Sequence, residues 1–458
     1  MIDFFKKIFK KENNKKNSVR RKGKSSFQLI IAGFLIIIFI GACLLSLPIS
    51  SQSREFTRFD DSLFTAVSAT CVTGLVVRDT ATYWSMFGQF VILILIQIGG
   101  MGVITVGFAV LYASGKKISI SQRSTMQDSI SAPRIGGIVQ LTGFILKGSA
   151  IIELSGAAFL MPMFCYDFGF FKGLWYSIFH SISAFCNAGF DLMGVRAPFS
   201  SLTSYNGNVY VNIIIMLLII IGGIGFLTWN DVITHRTHFK KYSLQSKIIL
   251  TTSLVLILIP AILFFIFEYS DLSFKDRILS SFFQSVTART AGFNSTDLAQ
   301  MNGSGTMIMI FLMLIGGAPG STAGGMKTTT FAVLFLAAIS VFTRKNDVQC
   351  YRRRLDEDTV RSAGAILFIY LMLFLAGALI ISTIEDLPLL TCLFEAASAI
   401  GTVGLTLGIT TSLSFFSKMI IIFLMFFGRV GALTLVYAAF STNENKMAKL
   451  PLERVTVG

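Results

Sequence analysis

The chain has 458 residues, of which 53% are hydrophobic and 14% charged, with a mean hydropathy of +0.71 and a formal net charge of +15. A soluble domain keeps roughly a quarter of its residues charged, so this composition excludes a water-exposed globular protein. Because lipid offers the backbone no hydrogen-bond partner, the composition predicts an all-α integral membrane protein.

The positive charge is concentrated at the N-terminus and in alternate loops. Residues 1–26 contain ten Lys/Arg and two acidic residues, and further basic clusters lie at 116–117, 236–241 and 344–354. The positive-inside rule requires this distribution of cytoplasmic segments. We therefore expect both termini in the cytoplasm and the basic tail close to anionic lipid, and we expect no nucleic-acid partner.

Eight apolar runs follow this tail. The first, 27–47, contains no charged residue and is long enough to cross a hydrocarbon core of about 30 Å. The others lie near 87–111, 141–163, 209–229, 248–267, 306–342, 363–384 and 418–440. They predict about eight transmembrane helices.

Four short segments share one pattern and end in Gly followed by Leu or Phe: SATCVTGL (68–75), SAFCNAGF (183–190), VTARTAGF (286–293) and SAIGTVGL (398–405). Their glycines, Gly74, Gly189, Gly292 and Gly404, are separated by 115, 103 and 112 residues (189−74, 292−189, 404−292). A short amphipathic segment of roughly ten residues precedes each glycine stretch, at 62–69, 174–184, 278–287 and 390–399. Such segments are too short to span a membrane and are expected to enter and leave by one face as pore helices.

A second glycine cluster supports the same register. It begins at Gly99, Gly222, Gly316 and Gly428, which follow the first glycines by 25, 33, 24 and 24 residues (99−74, 222−189, 316−292, 428−404). Two motifs at similar offsets predict four span–pore loop–span repeats around one central pore. We expect a tail at 1–26, repeats at 27–112, 113–229, 230–343 and 344–441, the last three with their preceding cytoplasmic loops, and a cytoplasmic tail at 442–458.

The first glycines are placed as a cation filter would require. Backbone carbonyls can replace the water shell of a small monovalent cation without adding net charge, and glycine adopts the backbone angles that such a loop needs. The glycine stretches contain no Asp or Glu, which disfavours a calcium site. The alternative is that these glycines only permit close helix packing.

The last run of the third repeat is expected to break. Residues 316–325 contain five glycines and a proline, which cannot sustain a helix. The same stretch approaches a phosphate-binding loop, but Met326 separates the glycine from Lys327 and no strand precedes it, so an NTPase is not expected.

The motifs TCVTGL (70–75), RTAGF (289–293) and GGAPGSTAGGMKT (316–328) resemble those of the Trk/Ktr/HKT superfamily of potassium transporters, and the likeness runs from about residue 27 to the end. The chain is most similar to Ktr-type membrane subunits, because its first repeat begins at the first apolar run. The resemblance implies potassium uptake across the plasma membrane, often sodium-dependent in such systems. It also implies a homodimer with one pore per subunit on a cytosolic nucleotide-binding regulatory ring.

The resemblance assigns two sets of site residues. The K⁺ filter is expected at Thr70, Cys71, Val72, Thr73, Gly74, Cys186, Asn187, Ala188, Gly189, Arg289, Thr290, Ala291, Gly292, Gly401, Thr402, Val403 and Gly404. The gate is expected at Gly316, Gly317, Gly320, Ser321, Thr322, Gly324, Gly325, Lys327 and Arg429.

Four of the charged residues near these sets are given more specific expectations. Arg289 is expected to point away from the axis and tie down its loop. Lys327 either lines the cavity or starts the cytoplasmic half-helix. Asp79 and Asp297 either attract cations to the outer mouth or are solvated surface residues.

Two other functions remain as alternatives. A secondary-active carrier with alternating access also uses repeats and broken helices, although its repeats are commonly inverted, whereas these four share one direction. A membrane enzyme is not expected, because the six cysteines lack metal-ligand spacing and the spans contain no nucleophile–base pair.

Overall fold

The computed structural model describes residues 26–103, 105–107, 120–130, 137–345, 347–432 and 434–435. The expected N-terminal tail (apart from Ser26), the C-terminal tail, residues 108–119 and 131–136, and the end of the last span lie outside these residues. The described residues form fifteen α-helices and one two-stranded hairpin, β1 (Gln349–Cys350) and β2 (Arg353–Arg354).

The helices follow one order four times: a long helix, a short helix and a helix that is interrupted at its glycine cluster. The long helices are α1 (Ser26–Ser46), α5 (Ile138–Phe168), α9 (Leu244–Phe267) and α13 (Glu357–Glu385). The short helices are α2 (Phe59–Thr70), α6 (Phe170–Phe185), α10 (Phe274–Thr287) and α14 (Leu389–Gly401). The third helices are α3 (Met86–Met101), α7 (Val209–Gly223) with α8 (Phe226–His235), α11 (Gly303–Leu314) with α12 (Thr328–Phe342), and α15 (Phe415–Val430). Helix α4 (Ile120–Ile130) precedes α5.

The four long helices are long and apolar enough to cross a membrane. Large apolar side chains such as Phe39, Leu154, Ile262 and Phe368 stay exposed along them. Exposed apolar surface of this kind suits contact with lipid. The expected all-α membrane fold is therefore confirmed.

The third helix of each repeat begins at the same kind of cap. Ser85, Asn208, Asn302 and Ser414 each accept a hydrogen bond through the side chain from a backbone N–H in the first turn. Such a cap satisfies one of the amide groups that a helix start leaves without a partner.

We expected the third helix to be continuous in the first, second and fourth repeats, and this expectation was wrong. Helix α3 ends at Gly102 (φ +87°), α15 ends at Gly431 (φ +90°), and α7 and α8 meet at an angle of 98° next to Gly225 (φ +90°). Glycine adopts these left-handed angles without the clash of a Cβ atom, so each cluster interrupts its helix as well as packing closely. Only the break between α11 and α12 was predicted from the sequence.

The first glycine of three clusters lies against the end of a pore helix. A Cβ atom on Gly99, Gly222 or Gly428 would collide with the carbonyl oxygen of Thr70, Phe185 or Ile400, respectively. Glycine lets the two backbones approach this closely. Close helix packing, which was the alternative role considered for the filter glycines, is therefore a role of the first glycine in these three second clusters.

The first and fourth repeats are joined by charge. Asp61 at the start of α2 accepts from Lys418 of α15 at 2.9 Å and from Arg78 at 3.0 Å, and the Asp61 side chain is only 5% exposed. The Asp61–Lys418 ion pair therefore joins the fourth repeat directly to the first.

Candidate functional site

Each short helix ends in a loop that carries one of the predicted glycines; we call residues 71–74, 186–189, 289–292 and 401–404 the glycine loops. The residue two positions before each glycine has a left-handed backbone: Val72 (φ +56°), Asn187 (φ +58°), Thr290 (φ +70°) and Thr402 (φ +52°). The glycines are left-handed too, with φ of +95°, +69°, +79° and +95° for Gly74, Gly189, Gly292 and Gly404. A left-handed residue at every second position turns carbonyls that would alternate in a strand toward one side. Such strain in non-glycine residues is typical of functional sites.

The four glycine loops meet in a ring. A Cβ atom on Gly74 would lie 2.5 Å from the oxygen of Ala188, and one on Gly189 would lie 2.9 Å from the oxygen of Ala291. On Gly292 and Gly404 it would collide with the oxygens of Val403 and Thr73. Each glycine thus faces the carbonyl of the next repeat, in the order one, two, three, four and back to one. Any side chain at these positions would displace the neighbouring backbone.

A hydroxyl group fixes each glycine loop, and sequence reasoning missed it. Ser68 and Ser398 accept from the amides of Gly74 and Gly404 at 3.1 and 3.0 Å. Ser183 and Thr287 donate to the carbonyls of Phe190 and Phe293 at 2.6 and 2.5 Å. The available signal was a Ser or Thr five or six residues before every predicted glycine.

The predicted filter residues do not all contribute in the same way. The structure brings together the carbonyls of Thr73, Ala188, Ala291 and Val403, whereas the side chains of Cys71 and Cys186 are buried and belong to the hydrophobic clusters behind the loops, where the Cys186 thiol also contacts polar groups. Gly401 ends α14 and packs against the backbone of Met313 instead of entering the ring. The hydroxyls of Thr70, Thr73 and Thr402 are buried without a hydrogen-bond partner among the described residues.

Arg289 points away from the ring. Its guanidinium donates to the hydroxyl of Ser253 in α9 at 3.1 Å and to the Ser253 carbonyl at 3.4 Å, and the residue is 8% exposed. The side chain therefore ties the third glycine loop to the long helix behind it.

The 315–327 loop, which joins α11 to α12, packs directly on two glycine loops. The hydroxyl of Thr322 donates to the carbonyl of Phe185 at 3.0 Å and lies 3.3 Å from the Asn187 side-chain oxygen. A Cβ on Gly324 would collide with the hydroxyl of Thr402. The predicted gate loop thus contacts the second and fourth glycine loops.

The same loop bonds to the breaks in the neighbouring helices. Its Ala318 amide donates to Gly223 at 2.9 Å, its Gly320 carbonyl accepts from Phe226 at 2.7 Å, and its Gly325 amide donates to Gly428 at 3.2 Å. The helix breaks expose the backbone groups that make these bonds, and the bonds hold the loop in one arrangement.

Two basic side chains lie at this loop. Arg429, half-buried at the end of α15, donates to the carbonyls of Thr322 and Gly99 and to that of Gly100 at 3.1 Å. Lys327 precedes the first residue of α12, and its ammonium group donates to the carbonyl of Ala323 at 2.9 Å. Lys327 therefore starts the half-helix and also bonds to the loop.

The acidic residues expected near the mouth differ from each other. Asp79 is 9% exposed and accepts from Thr82 and from the Phe199 amide, each at 2.8 Å, so it joins the outer loops of two repeats and is not a solvated residue. Asp297 is exposed and caps a short turn through the Ala299 amide at 3.0 Å.

A buried carboxylate behind the fourth glycine loop was also missed. Glu395 of α14 is fully buried and accepts from Thr406 at 2.8 Å and from Thr410. It fixes the segment that follows Gly404. The signal was a charged residue inside an apolar pore-helix segment.

Comparisons with known proteins agree with this geometry. The profile of the TrkH family, described as cation transport protein, matches residues 3–449. The chain is 40% identical over 449 residues to the potassium/sodium uptake protein NtpJ of Enterococcus hirae, covering 96% of this chain and 98% of that protein. It is 40% identical to the Ktr system potassium uptake protein B of Bacillus subtilis, covering 94% and 96% of the two chains.

A solved structure shares the fold. The potassium transporter TrkH from Vibrio parahaemolyticus superposes with a TM-score of 0.71 at 19% identity, over 95% of this chain and 89% of that one.

Proposed function

This chain belongs to the TrkH family of cation transport proteins, and we propose that it takes up potassium through the ring formed by its four glycine loops. The ring of carbonyl oxygens from Thr73, Ala188, Ala291 and Val403 is the observation that carries this proposal. The family is one of transporters, so the chain is not an enzyme.

The chemistry of the ring suits a monovalent cation. Neutral carbonyl oxygens replace part of the hydration shell without binding the ion too tightly to release it. The pore helices direct their C-terminal, partly negative ends toward the same region. We propose the carbonyls of Thr73, Ala188, Ala291 and Val403 as the ion ligands, and the rest of the seventeen predicted filter residues, apart from Gly401, as the loops that position them.

The 315–327 loop is the proposed gate. It lies against the glycine loops through Thr322 and Gly324, where it would obstruct an ion leaving the ring. Arg429 donates to its Thr322 carbonyl and adds positive charge below the ring, which opposes the passage of a cation. Moving the loop and Arg429 apart is the proposed opening step.

The partners and orientation are further parts of this proposal. The names of the Bacillus subtilis and Vibrio alginolyticus relatives refer to a Ktr system, which implies further components. For this chain we expect a homodimer, a cytosolic nucleotide-binding regulator, plasma-membrane localisation and cytoplasmic termini. One relative is named a potassium/sodium uptake protein, which supports a test of sodium as activator or second ion.

Ion flux into liposomes containing the purified chain tests the proposal. Potassium and rubidium should enter the liposomes down their own gradients, with higher fluxes than sodium. Potassium entry should not need a sodium gradient. Potassium uptake that occurs only when a sodium or proton gradient drives it would favour the carrier alternative. Equal fluxes of sodium and potassium through well-folded protein would reject the carbonyl ring as the selective element.

A further inference from the structure

A carboxyl group lies in the middle of a membrane-spanning helix and has no role in the ring or the loop described so far. Glu153 is at the midpoint of α5 and is 7% exposed. An ionisable side chain at this depth is unfavourable unless it is paired, and it usually marks a functional element. Its partner is the Gln97 amide of α3, whose Nε2 lies 2.9 and 3.0 Å from the two carboxyl oxygens.

Both the nitrogen and the oxygen of the Gln97 side-chain amide have hydrogen-bond partners. Its Oε1 accepts from the thiol of Cys186, the first residue of the second glycine loop, at 3.7 Å. The Cys186 thiol is also 4.0 Å from Glu153 Oε1. Glu153, Gln97 and Cys186 therefore form one buried polar cluster between α5, α3 and the second glycine loop.

This cluster lies next to the carbonyls that hold Arg429. Gln97 is two residues before Gly99, and the carbonyls of Gly99 and Gly100 both accept from the Arg429 guanidinium. A Cβ on Gly100 would lie 2.6 Å from the Cys186 sulfur, so this turn of α3 is packed against the cluster. The turn is the last one of α3, which ends at Met101 before the left-handed Gly102.

We propose that Glu153 is a positioning residue of the gate: through Gln97 it fixes the last turn of α3, so that the Gly99 and Gly100 carbonyls hold Arg429 against Thr322. This inference rests on the proposed gate. A path of hydrogen bonds and one helical turn joins a carboxyl in the second repeat to the loop in the third.

Alanine at either position tests the link. Glu153→Ala and Gln97→Ala should each raise rubidium flux by the purified chain in liposomes, without a regulator, by roughly threefold to tenfold. In an Arg429→Ala background, Glu153→Ala should produce no further increase, because the side chain through which it acts is gone. A merely structural carboxyl would lower the thermal melting temperature and alter flux by the same factor in both backgrounds.

Exchanging the two side chains provides the matched rescue. Gln97→Glu alone places two carboxyls together and should raise flux at least as much as Gln97→Ala. Glu153→Gln combined with Gln97→Glu restores an amide–carboxyl pair with the roles reversed and should return flux close to the wild-type level. Failure of this double variant to lower the flux of Gln97→Glu, in protein that melts normally, would overturn the inference.

The outcomes separate this inference from the proposed gate. If Arg429→Ala raises flux and Glu153→Ala does not, the positioning role is rejected and the gate stands. If Arg429→Ala leaves flux unchanged in folded protein, Arg429 is not part of the gate and the positioning role is rejected with it, whereas the loop deletion tests the gate loop independently.

Discussion

Arg429 donates to the carbonyl oxygen of Thr322, a residue 107 positions earlier in the chain (429−322). The bond joins the end of α15 in the fourth repeat to the loop that interrupts the third repeat. A guanidinium offers five N–H donors in a fixed fork, and this one reaches the Gly99 and Gly100 carbonyls of the first repeat with its other nitrogen. One side chain thus connects three of the four repeats below the ring.

Removing this side chain should open the pathway. A hydrogen bond to a charged group contributes about 1.5–3 kcal/mol, so Arg429→Ala should raise regulator-independent rubidium flux by roughly tenfold or more. Selectivity should change little, because the carbonyl ring is not altered. Arg361→Ala is the control, since that arginine is 77% exposed and makes only surface ion pairs within α13.

Deleting residues from the 315–327 loop should act in the same direction. A shorter loop loses the Thr322 contact with Phe185 and cannot cover the ring. Unchanged flux in both the deletion variant and Arg429→Ala would place the gate elsewhere.

Replacing a ring glycine should reduce selectivity. Gly74→Ala, Gly189→Ala, Gly292→Ala and Gly404→Ala each place a methyl group against a neighbouring backbone, at a φ that disfavours L-residues by roughly 1–2 kcal/mol. We expect each to lower the potassium-to-sodium flux ratio in liposomes. Gly364→Ala in α13 is the matched control, because no atom of the described residues lies within 4 Å of its added methyl group. Wild-type ratios in all four variants would contradict the filter assignment.

The hydroxyl anchors should matter for selectivity more than for folding. Ser68→Ala and Ser398→Ala remove the acceptors of the Gly74 and Gly404 amides, at about 1 kcal/mol per bond. The loops should become more mobile, and the potassium-to-sodium ratio should fall while the protein still purifies as a folded species. Ser155→Ala serves as the control, since its hydroxyl bonds only to its own helix at Ile151. Equal potassium-to-sodium flux ratios in the three variants would argue against a role of these hydroxyls in selectivity.

The orientation can be tested with a native cysteine. Cys350 lies in the hairpin of the 343–361 loop and is partly exposed. A variant that keeps only Cys350 should react with a membrane-impermeant maleimide after permeabilisation and not in intact cells. Adding Ser53→Cys, on the exposed segment after α1, should introduce labelling from outside. Labelling of Cys350 in intact cells would reverse the topology.

The sequence predicted the features that repeat within one short window. The long helices and the four ring glycines follow from apolar runs and from a motif that occurs four times. The breaks at Gly102, Gly225 and Gly431 were missed, because a glycine cluster in an apolar run is equally typical of close packing. The interruptions depend on the left-handed backbone angles of these three glycines, which the sequence pattern does not reveal.

Contacts between distant segments were beyond sequence reasoning. Glu153 and Gln97 are 56 residues apart, and Asp79 meets Phe199 across 120 residues. No local pattern indicates that these side chains meet. The structure shows that Asp79 is buried between two loops, which excludes the solvated-surface interpretation. It also identifies Glu395 and Glu153 as buried acidic residues that the sequence analysis did not single out.

The order of the ring has a consequence for biosynthesis. Gly404 faces the carbonyl of Thr73, which precedes it by 331 residues (404−73), and Lys418 reaches back to Asp61. A nascent chain that has released only three repeats holds three of the four oxygens and lacks the helix that bears Arg429. Neither the ring nor the contact below it can form until α14 and α15 have entered the bilayer. The last quarter of the chain thus completes the ring and the Arg429–Thr322 contact together, and a chain truncated before it would lack both.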